Sequence, residues 1–554
     1  MNPPYIRAIK WASLRIADRG VIAYVTNGGW LDSNTADGMR LSLAEEFSDI
    51  HVYNLRGNQR TAGEQSRKEG GKVFGGGSRA TVAITLFVKD PVKTGPARVH
   101  YTDIGDYLTR EDKLARVAHA ERVAGLESVD ISPNATGDWL NQRRDDFSTY
   151  LPIEDIFTSS GRGVETARDA WVYNFSRPRL RGSVQLHVAS YELARRGEQI
   201  DDPTRLSWSR SLRAAAAKGR EIRLHPTAIT SGMYRPFTKQ ALYFHRDLNN
   251  VIAAMVRAFP APRTPNFGFY QVGVGAVKPY ALLITEEIPD LNFYGSEGGQ
   301  FFARWRYEPV DAGDGMIVLA HADGEVIDGY RKIDNITKEG LANFRSAYGE
   351  SFTKDDIFFY VYGLLHSPEY RETYAADLKK SLPRIPLVTD AAPFVEAGRG
   401  LSELHLGYET VTPFALEGLA TDLEPGAPYE YFRVDKMKFA KIRDPETNKL
   451  VTDRSTIIYN DRITLSGIPE EAYWYMLGSR SGIEWVMDRY QVKTDKASGI
   501  VNDPNDWSLA VEDPRYILDL LARIVTVSLE TMKIVDSLPP LEIREGQTAS
   551  VPGR

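Results

Sequence analysis

Residues 20–29, with the sequence GVIAYVTNGG, decide the fold of the amino-terminal part of the chain. The apolar run at 21–25 is short and uninterrupted, which is typical of a strand buried on both faces of a parallel sheet. The polar and glycine-rich residues 26–29 then favour a turn. The stretch therefore predicts an interior strand of an α/β sheet.

The segments on either side extend this prediction. An amphipathic pattern over residues 6–19 predicts a helix before the strand, and residues 37–47 predict another after it. Apolar runs at 50–55 and 81–88 predict two more strands. The predicted order of elements is helix, strand, helix, strand, loop and strand, which is the order of the back half of a doubly wound sheet. We therefore predict a partial Rossmann-like α/β domain over 1–90.

Asn2, Pro3, Pro4 and Tyr5 stand before this helix and offer an unusual set of groups. Transfer of a methyl group to an exocyclic amine requires two acceptors aimed at its two N–H bonds, and the Asn2 amide oxygen and the Pro3 carbonyl can supply them. Each proline fixes its own φ near about −65°, which holds these oxygens still. The ring of Tyr5 offers a face on which a flipped-out base can stack.

The tetrapeptide resembles the catalytic motif of the adenine-N6 DNA amino-methyltransferases, whose methyl donor is S-adenosylmethionine. In that family a helix and a strand similar to residues 20–27 follow the motif, and a loop aromatic precedes the last strand. Phe74 stands at the matching place, so the resemblance implies that Tyr5 and Phe74 stack on the two faces of the base. The alternatives are a proline-rich terminus without a role and a loop aromatic that caps the core.

Composition excludes several other classes of protein and of site. A chain of 554 residues is too long for a single core, and the absence of cysteine excludes disulfides and thiolate metal sites. No metal site is predicted, because acidic residues such as Asp495 and Asp503 are isolated. No apolar run approaches about 18 residues and no signal pattern opens the chain, so we expect no membrane span and a cytoplasmic location.

Charge is unevenly distributed along the chain. Residues 161–250 hold 16 Lys and Arg against 8 Asp and Glu, although the whole chain has a net charge of −6. Basic residues set among aromatic ones predict a surface that faces double-stranded DNA. The arginines that we assign to it are Arg177, Arg179, Arg210 and Arg235. The alternative is a solvated helix face, which is favoured for Arg195 and Arg196.

The rest of the chain divides into three predicted segments. Residues 91–150 are charged and predict a mostly helical connector, 151–390 a mixed α/β DNA target-recognition domain, and 391–554 a specificity or support domain. Several stretches resemble the C-terminal target-recognition region of the type I single-polypeptide (Type ISP) restriction-modification enzymes. These stretches are 234–244, 356–370, 382–387, 466–469, 482–490 and 501–505.

The family pattern has one large departure here. Only Met1 precedes Asn2, whereas the family places a glycine turn and an acidic residue for S-adenosylmethionine ahead of the motif. We therefore expect an incomplete cofactor site, with its binding residues unknown, and an inactive isolated chain. A separately encoded methyltransferase or helicase-nuclease portion, or a mis-assigned start, is the expected source of the front half. The rival hypotheses are a non-catalytic DNA specificity subunit and an inactive remnant.

Overall fold

A computed structural model describes residues 4–59, 63–76, 79–261, 264–310, 324–419, 426–445 and 448–545. The chain forms two compact units. The first comprises 1–149 and 374–382, and the second comprises 150–373 and 383–554. No helix among the described residues is both long enough and apolar enough to cross a membrane.

The first unit contains five strands and a set of helices around them. The strands are β1 (Gly20–Asn27), β2 (Asp49–Asn54), β3 (Val82–Lys89), β4 (Arg98–Asp103) and β5 (Val129–Ile131). The helices are α1 (Pro4–Ser13), α2 (Asp37–Glu46), α3 (Gly63–Glu69), α4 (Arg110–His119) and, from the second segment, α13 (Ala375–Lys380).

These strands form one sheet in the order β1-β3-β2-β4-β5. Because β3 is antiparallel to both β1 and β2, those two strands run parallel to each other, with α2 connecting them. A strand-helix-strand connection between parallel strands is the basic unit of α/β sheets. Buried apolar side chains such as Ile22, Ile50 and Phe87 form the core beneath it.

Two predictions for this unit are wrong in detail. The strand β1 is not buried on both faces: Val21 is 60% and Val25 54% exposed, because β1 lies at one edge of the described sheet and alternates between core and solvent. The segment 91–150 is not mostly helical either. Its residues at β4 and β5 pair with the sheet, and α4 is its one α-helix among the described residues.

A buried charge cluster joins the short segment 374–382 to the rest of the first unit. Asp138 is fully buried, with Lys380 Nζ 3.1 Å, Arg143 Nε 2.8 Å and Arg40 Nη2 3.5 Å from its carboxylate oxygens. Burial opposes the charged form, but hydrogen bonds from Arg143 and Lys380 hold the pKa of Asp138 well below its usual range. A buried carboxylate is tolerable only with such partners, so these contacts specify how the segment docks.

The second unit is larger and contains both helices and several small sheets. Its helices are α5 (Ile153–Ile156), α6 (Asp169–Val172), α7 (Arg177–Arg195), α8 (Arg210–Ala217), α9 (Ala253–Ala258), α10 (Lys338–Tyr348), α11 (Lys354–Leu364), α12 (Pro368–Thr373), α14 (Ala392–Leu406), α15 (Pro428–Tyr431), α16 (Gly482–Arg489), α17 (Asn505–Ala510) and α18 (Tyr516–Asp536).

Its strands are mostly short. They are β6 (Leu151–Pro152), β7 (Tyr173–Asn174), β8 (Ile229–Arg235), β9 (Thr238–Tyr243), β10 (Gly268–Val272), β11 (Leu282–Thr285), β12 (Ile288–Pro289), β13 (Gly299–Ala303), β14 (Trp305–Pro309), β15 (Val326–Ile327), β16 (Tyr330–Asp334), β17 (Arg384–Ile385), β18 (Lys438–Arg443), β19 (Leu450–Ile458), β20 (Thr464–Leu465), β21 (Met476–Leu477), β22 (Arg480–Ser481), β23 (Lys493–Thr494) and β24 (Val501–Asn502).

One sheet and one helix pair organise this unit. The sheet has the order β12-β8-β9-β7, and β8 and β9 form an antiparallel hairpin. The helices α11 and α14 cross so closely that a Cβ added at Gly363 would lie 2.1 Å from the Phe394 carbonyl oxygen. Glycine is required there because no other residue allows the two backbones to approach so closely. The buried α18 completes the core.

Candidate nucleic-acid interface

Two hairpins of the second unit enclose a cleft of about 480 Å³. One is β8–β9, and the other is the short hairpin β23–β24, in which Lys493 pairs with Asn502. The turn between β23 and β24 is set by Asp495, whose carboxylate accepts hydrogen bonds from the Ser498 N–H (2.8 Å) and hydroxyl (2.7 Å). Aspartate commonly fixes turns in this way, so the local sequence itself builds this wall of the cleft.

The floor of the cleft is aromatic. The rings of Tyr173 and Tyr234 lie 4.8 Å apart, and the Tyr234 hydroxyl donates a hydrogen bond of 3.0 Å to the Asp169 carboxylate. Burial raises the pKa of Tyr234, so this hydroxyl stays protonated and able to donate. The partly exposed ring of Tyr234 offers a stacking or edge contact to a base, and the buried Tyr173 supports it from below.

Two primary amides lie on the walls. Asn502 Nδ2 donates to Gln240 Oε1 at 3.1 Å, while Asn502 Oδ1 accepts the Phe175 backbone N–H at 2.9 Å. These contacts fix the orientation of the Asn502 side chain. Asparagine and glutamine side chains pair with adenine edges through one donor and one acceptor. Asn502 is partly exposed and is suited to reading a base, whereas Gln240 is 2% exposed and supports the Asn502 amide.

The rim of the cleft is basic. Arg489, Lys493 and Lys496 line it together with Gln491 and Thr494. Burial and the neighbouring Arg489 lower the pKa of Lys493, and burial also lowers the pKa of Arg489. A cation whose charged form is disfavoured in this way gains free energy when an anion such as a phosphate comes close.

The arginines predicted to face DNA fall into two groups. Arg177 and Arg179, in the first turn of α7, and Arg210, the first residue of α8, are exposed. Arg179 Nε lies 3.0 Å from the Asp506 carboxylate. The side chain of Arg235, in contrast, is 9% exposed; it stacks on Tyr234 and lies 2.7 Å from Asp290.

This placement corrects the prediction that Arg235 faces DNA. A strand alternates its side chains between two faces, and residue 235 falls on the inner one. The aromatic residues that suggested a nucleic-acid surface, Trp171 in α6, Tyr173 in β7 and Phe175 just before α7, are also buried. Their alternation with arginine reports packing of the core.

The predicted methyl-transfer residues lie in the first unit. Asn2 and Pro3 lie outside the described residues. Pro4 and Tyr5 open α1; Pro4 is exposed, and Tyr5 is half-buried against the core of the sheet, where burial raises its pKa. Phe74 follows α3 in a loop and is 53% exposed, so its ring is available to solvent.

Sequence reasoning does not find most of the cleft. The pattern of residues 483–490 predicts only a structural helix, and Asp495 stands alone among its neighbours in the sequence. A usable signal is present, because Lys493 precedes a turn of the form Asp-x-x-Ser-Gly at 495–499 and Lys496 lies within it. What the sequence cannot show is that this turn faces Gln240, which lies far away along the chain.

Comparison with a family model gives a match over most of the second unit. The model describes the Type ISP C-terminal specificity domain and matches residues 155–520. A comparison with curated protein sequences gives no match.

Solved structures match nearly the whole chain. A nuclease-deletion mutant of the Type ISP restriction-modification enzyme LlaGI, in complex with a DNA substrate mimic, is 39% identical with a TM-score of 0.81, over 98% of this chain and 48% of that one. The ATP-dependent Type ISP enzyme LlaBIII, bound to DNA, is 34% identical with a TM-score of 0.82, over 98% and 34%. A DrdV–DNA complex is 29% identical with a TM-score of 0.79, over 97% and 52%. The chain thus spans between about a third and a half of these proteins.

Proposed function

This chain belongs to the Type ISP restriction-modification family through its C-terminal specificity domain, and we propose that it recognises a sequence in double-stranded DNA. The observation that carries the proposal is the cleft between β8–β9 and β23–β24. It combines tyrosine rings, two amides and a basic rim within one unit. DNA complexes of LlaGI, LlaBIII and DrdV support the same partner.

The basic and the amide side chains of the cleft have different roles, which follow from their chemistry. Lys493, Lys496 and Arg489 neutralise phosphates at the rim and supply affinity that does not depend on sequence. Asn502 exchanges its hydrogen bond with the buried Gln240 for contacts with a base edge, and this exchange supplies sequence discrimination. A base that does not satisfy the Asn502 amide leaves a polar group unpaired, which costs about 1–3 kcal/mol.

Titration with duplex DNA at several salt concentrations tests this proposal. Lys493→Ala combined with Lys496→Ala should weaken binding on every duplex and flatten the log–log salt dependence by about 0.9 for each phosphate that is no longer neutralised. Lys338→Ala, which removes an exposed lysine of α10 away from the cleft lining, is the matched control and should leave the slope unchanged. Failure of the wild-type chain to bind duplex DNA at low salt would rule the proposal out.

We further propose that residues 1–90 take part in adenine-N6 methylation, as part of a partial Rossmann-like catalytic domain that uses S-adenosylmethionine. Support comes from the Asn2–Tyr5 sequence and from the parallel arrangement of β1 and β2 about α2. Asn2 and Pro3 would accept the two amine hydrogens, while Tyr5 and Phe74 stack on the base. S-adenosylmethionine, when bound, would supply the methyl group in a direct transfer to nitrogen, with S-adenosylhomocysteine as the leaving group and one amine proton lost to solvent.

Replacing the acceptor tests this second role. In a polypeptide or mixture that binds S-adenosylmethionine, Asn2→Ala should abolish methyl transfer and leave DNA affinity nearly unchanged. Tyr5→Ala should act through base flipping and cost about 1–3 kcal/mol. An Asn2→Ala protein with full turnover would remove the motif from the mechanism and leave a non-catalytic specificity role.

A further inference from the structure

The open end of the β8–β9 hairpin brings two histidines together. Tyr243 pairs with Ile229, and beyond this pair the Phe244 N–H donates to the Ala228 carbonyl at 2.8 Å. The chain therefore enters and leaves the hairpin side by side, with His225 on one strand extension and His245 on the other. Their imidazole rings are stacked, with centroids 3.9 Å apart.

A carboxylate completes the group. Asp247 Oδ2 lies 3.3 Å from His245 Nδ1 and 3.6 Å from His225 Nε2. The other oxygen, Oδ1, pairs with the Arg220 guanidinium at 2.5 Å, which leaves Oδ2 turned toward the two nitrogens. One donor atom from each of the three residues falls within 4.8 Å of the other two.

We propose that His225, His245 and Asp247 bind one divalent transition-metal ion of the zinc class. Donor atoms around a tetrahedral zinc ion, at bond lengths of about 2.0–2.2 Å, are separated by about 3.3–3.5 Å, and the two spacings to Oδ2 come close to this range. Two imidazoles and one carboxylate favour zinc, cobalt or nickel over magnesium or calcium, which prefer oxygen ligands. A fourth position is left for water.

Binding requires a small rearrangement that the site permits. The ring planes are 25° apart, and because a nitrogen lone pair lies in the plane of its ring, the two rings must rotate to point at one ion. Both side chains are partly exposed, 42% for His225 and 27% for His245, so the rotation costs little beyond the 3.3 Å hydrogen bond that His245 Nδ1 accepts from the Asp247 N–H.

Binding of the metal ion stabilises the β8–β9 hairpin. An ion held by both strand extensions cross-links the end of β8–β9 that is opposite its turn. The same hairpin carries Tyr234 and Gln240 into the cleft. Arg220 orients the carboxylate from behind, as outer groups commonly do at metal sites. The site itself does not depend on DNA binding.

Metal titration of the tag-free chain tests the proposal. After treatment with chelator, calorimetry with zinc should show one equivalent bound at micromolar free metal, and unfolding should move to higher temperature. His225→Ala and His245→Ala should each abolish this equivalent, Arg220→Ala should weaken binding by about tenfold or more, and His119→Ala, which removes an exposed histidine of the first unit, should bind as wild type. No saturable binding, or an equivalent retained in both histidine variants, would overturn the proposal.

A second measurement avoids any dependence on variants that fold poorly. Histidine acylation of the unsubstituted chain, mapped by mass spectrometry with and without zinc, should show protection of His225 and His245. His119 should react equally in both samples. If the modification of all three histidines were the same with and without zinc, the proposal would also be overturned.

Discussion

Two regions of the second unit place basic residues beside aromatic ones, and the structure uses them in opposite ways. In residues 171–235 most aromatic side chains enter the core, Arg235 pairs there with Asp290, and Tyr173 and Tyr234 form the floor of the cleft. In residues 489–502 the basic side chains line the open side of the same cleft. Alternation of arginine with aromatic residues therefore reports core packing, in helix and strand alike, whereas a ligand surface depends on which turn faces which strand.

The largest expected effect concerns the buried pair of the first region. Asp290→Ala leaves the Arg235 guanidinium buried without its carboxylate, which should reduce the free energy of unfolding by about 3–5 kcal/mol. Urea unfolding measures this reduction. The double variant Arg235→Met with Asp290→Leu should recover most of it, because no lone charge remains. A single variant as stable as wild type would mean that the pair is solvated and that Arg235 is free to face DNA.

A pH effect should follow in the same region. His187 packs against Trp171, and burial lowers its pKa to about 3. Below the unfolded value of about 6.5 the unfolded chain binds a proton that the folded chain does not, so stability decreases as the pH falls from about 6.5 toward 3. The slope should be about 1.4 kcal/mol per pH unit for this residue.

Unfolding curves between about pH 7 and 4.5 check this expectation against His187→Phe. The variant should lack that part of the pH dependence, although other buried histidines keep theirs. Identical slopes in the two proteins would show that His187 is protonated in the folded state, and so that the region is more open than its packing indicates.

The exposed arginines should have the smallest effects. We propose that Arg177, Arg179 and Arg210 contact phosphates outside the cleft. Replacing one of them with alanine should then lower affinity equally on all duplexes and flatten the salt slope by about one unit. Arg179 is a useful internal contrast, because its pairing with Asp506 already satisfies part of its charge. Sequence-dependent weakening from any of the three would move base reading to α7 or α8.

The sequence predicted local structure better than it predicted surfaces. The elements of residues 1–90 are present near their predicted positions, because periodicity and glycine turns act over a few residues. The exposure of β1 could not be predicted, since an apolar run does not report whether a neighbouring strand covers it. The strand β4 was missed because its charged residues, Arg98 and Asp103, hide its short apolar pattern.

The candidate sites show the same limit. Asp495 and Gln240 are separated by more than half of the described second unit in sequence, and only the fold brings their hairpins together. His225 and His245 are closer together in the sequence, but the contact between their side chains depends on the register of the β8–β9 hairpin. Positions such as Asn2 and Tyr5 could be proposed from sequence because their chemistry is carried by adjacent residues.

Selection of preferred sites from a pool of random duplexes tests the central claim, that the cleft reads DNA sequence. The wild-type chain should enrich one recurring site. Gln240→Ala and Asn502→Ala should each relax that preference at one or a few base pairs, at a cost of about 1–3 kcal/mol on the preferred duplex alone. Arg177→Ala should bind more weakly but select the same site as sharply. Unchanged preference in both cleft variants, together with a relaxed preference in Arg177→Ala, would contradict the account.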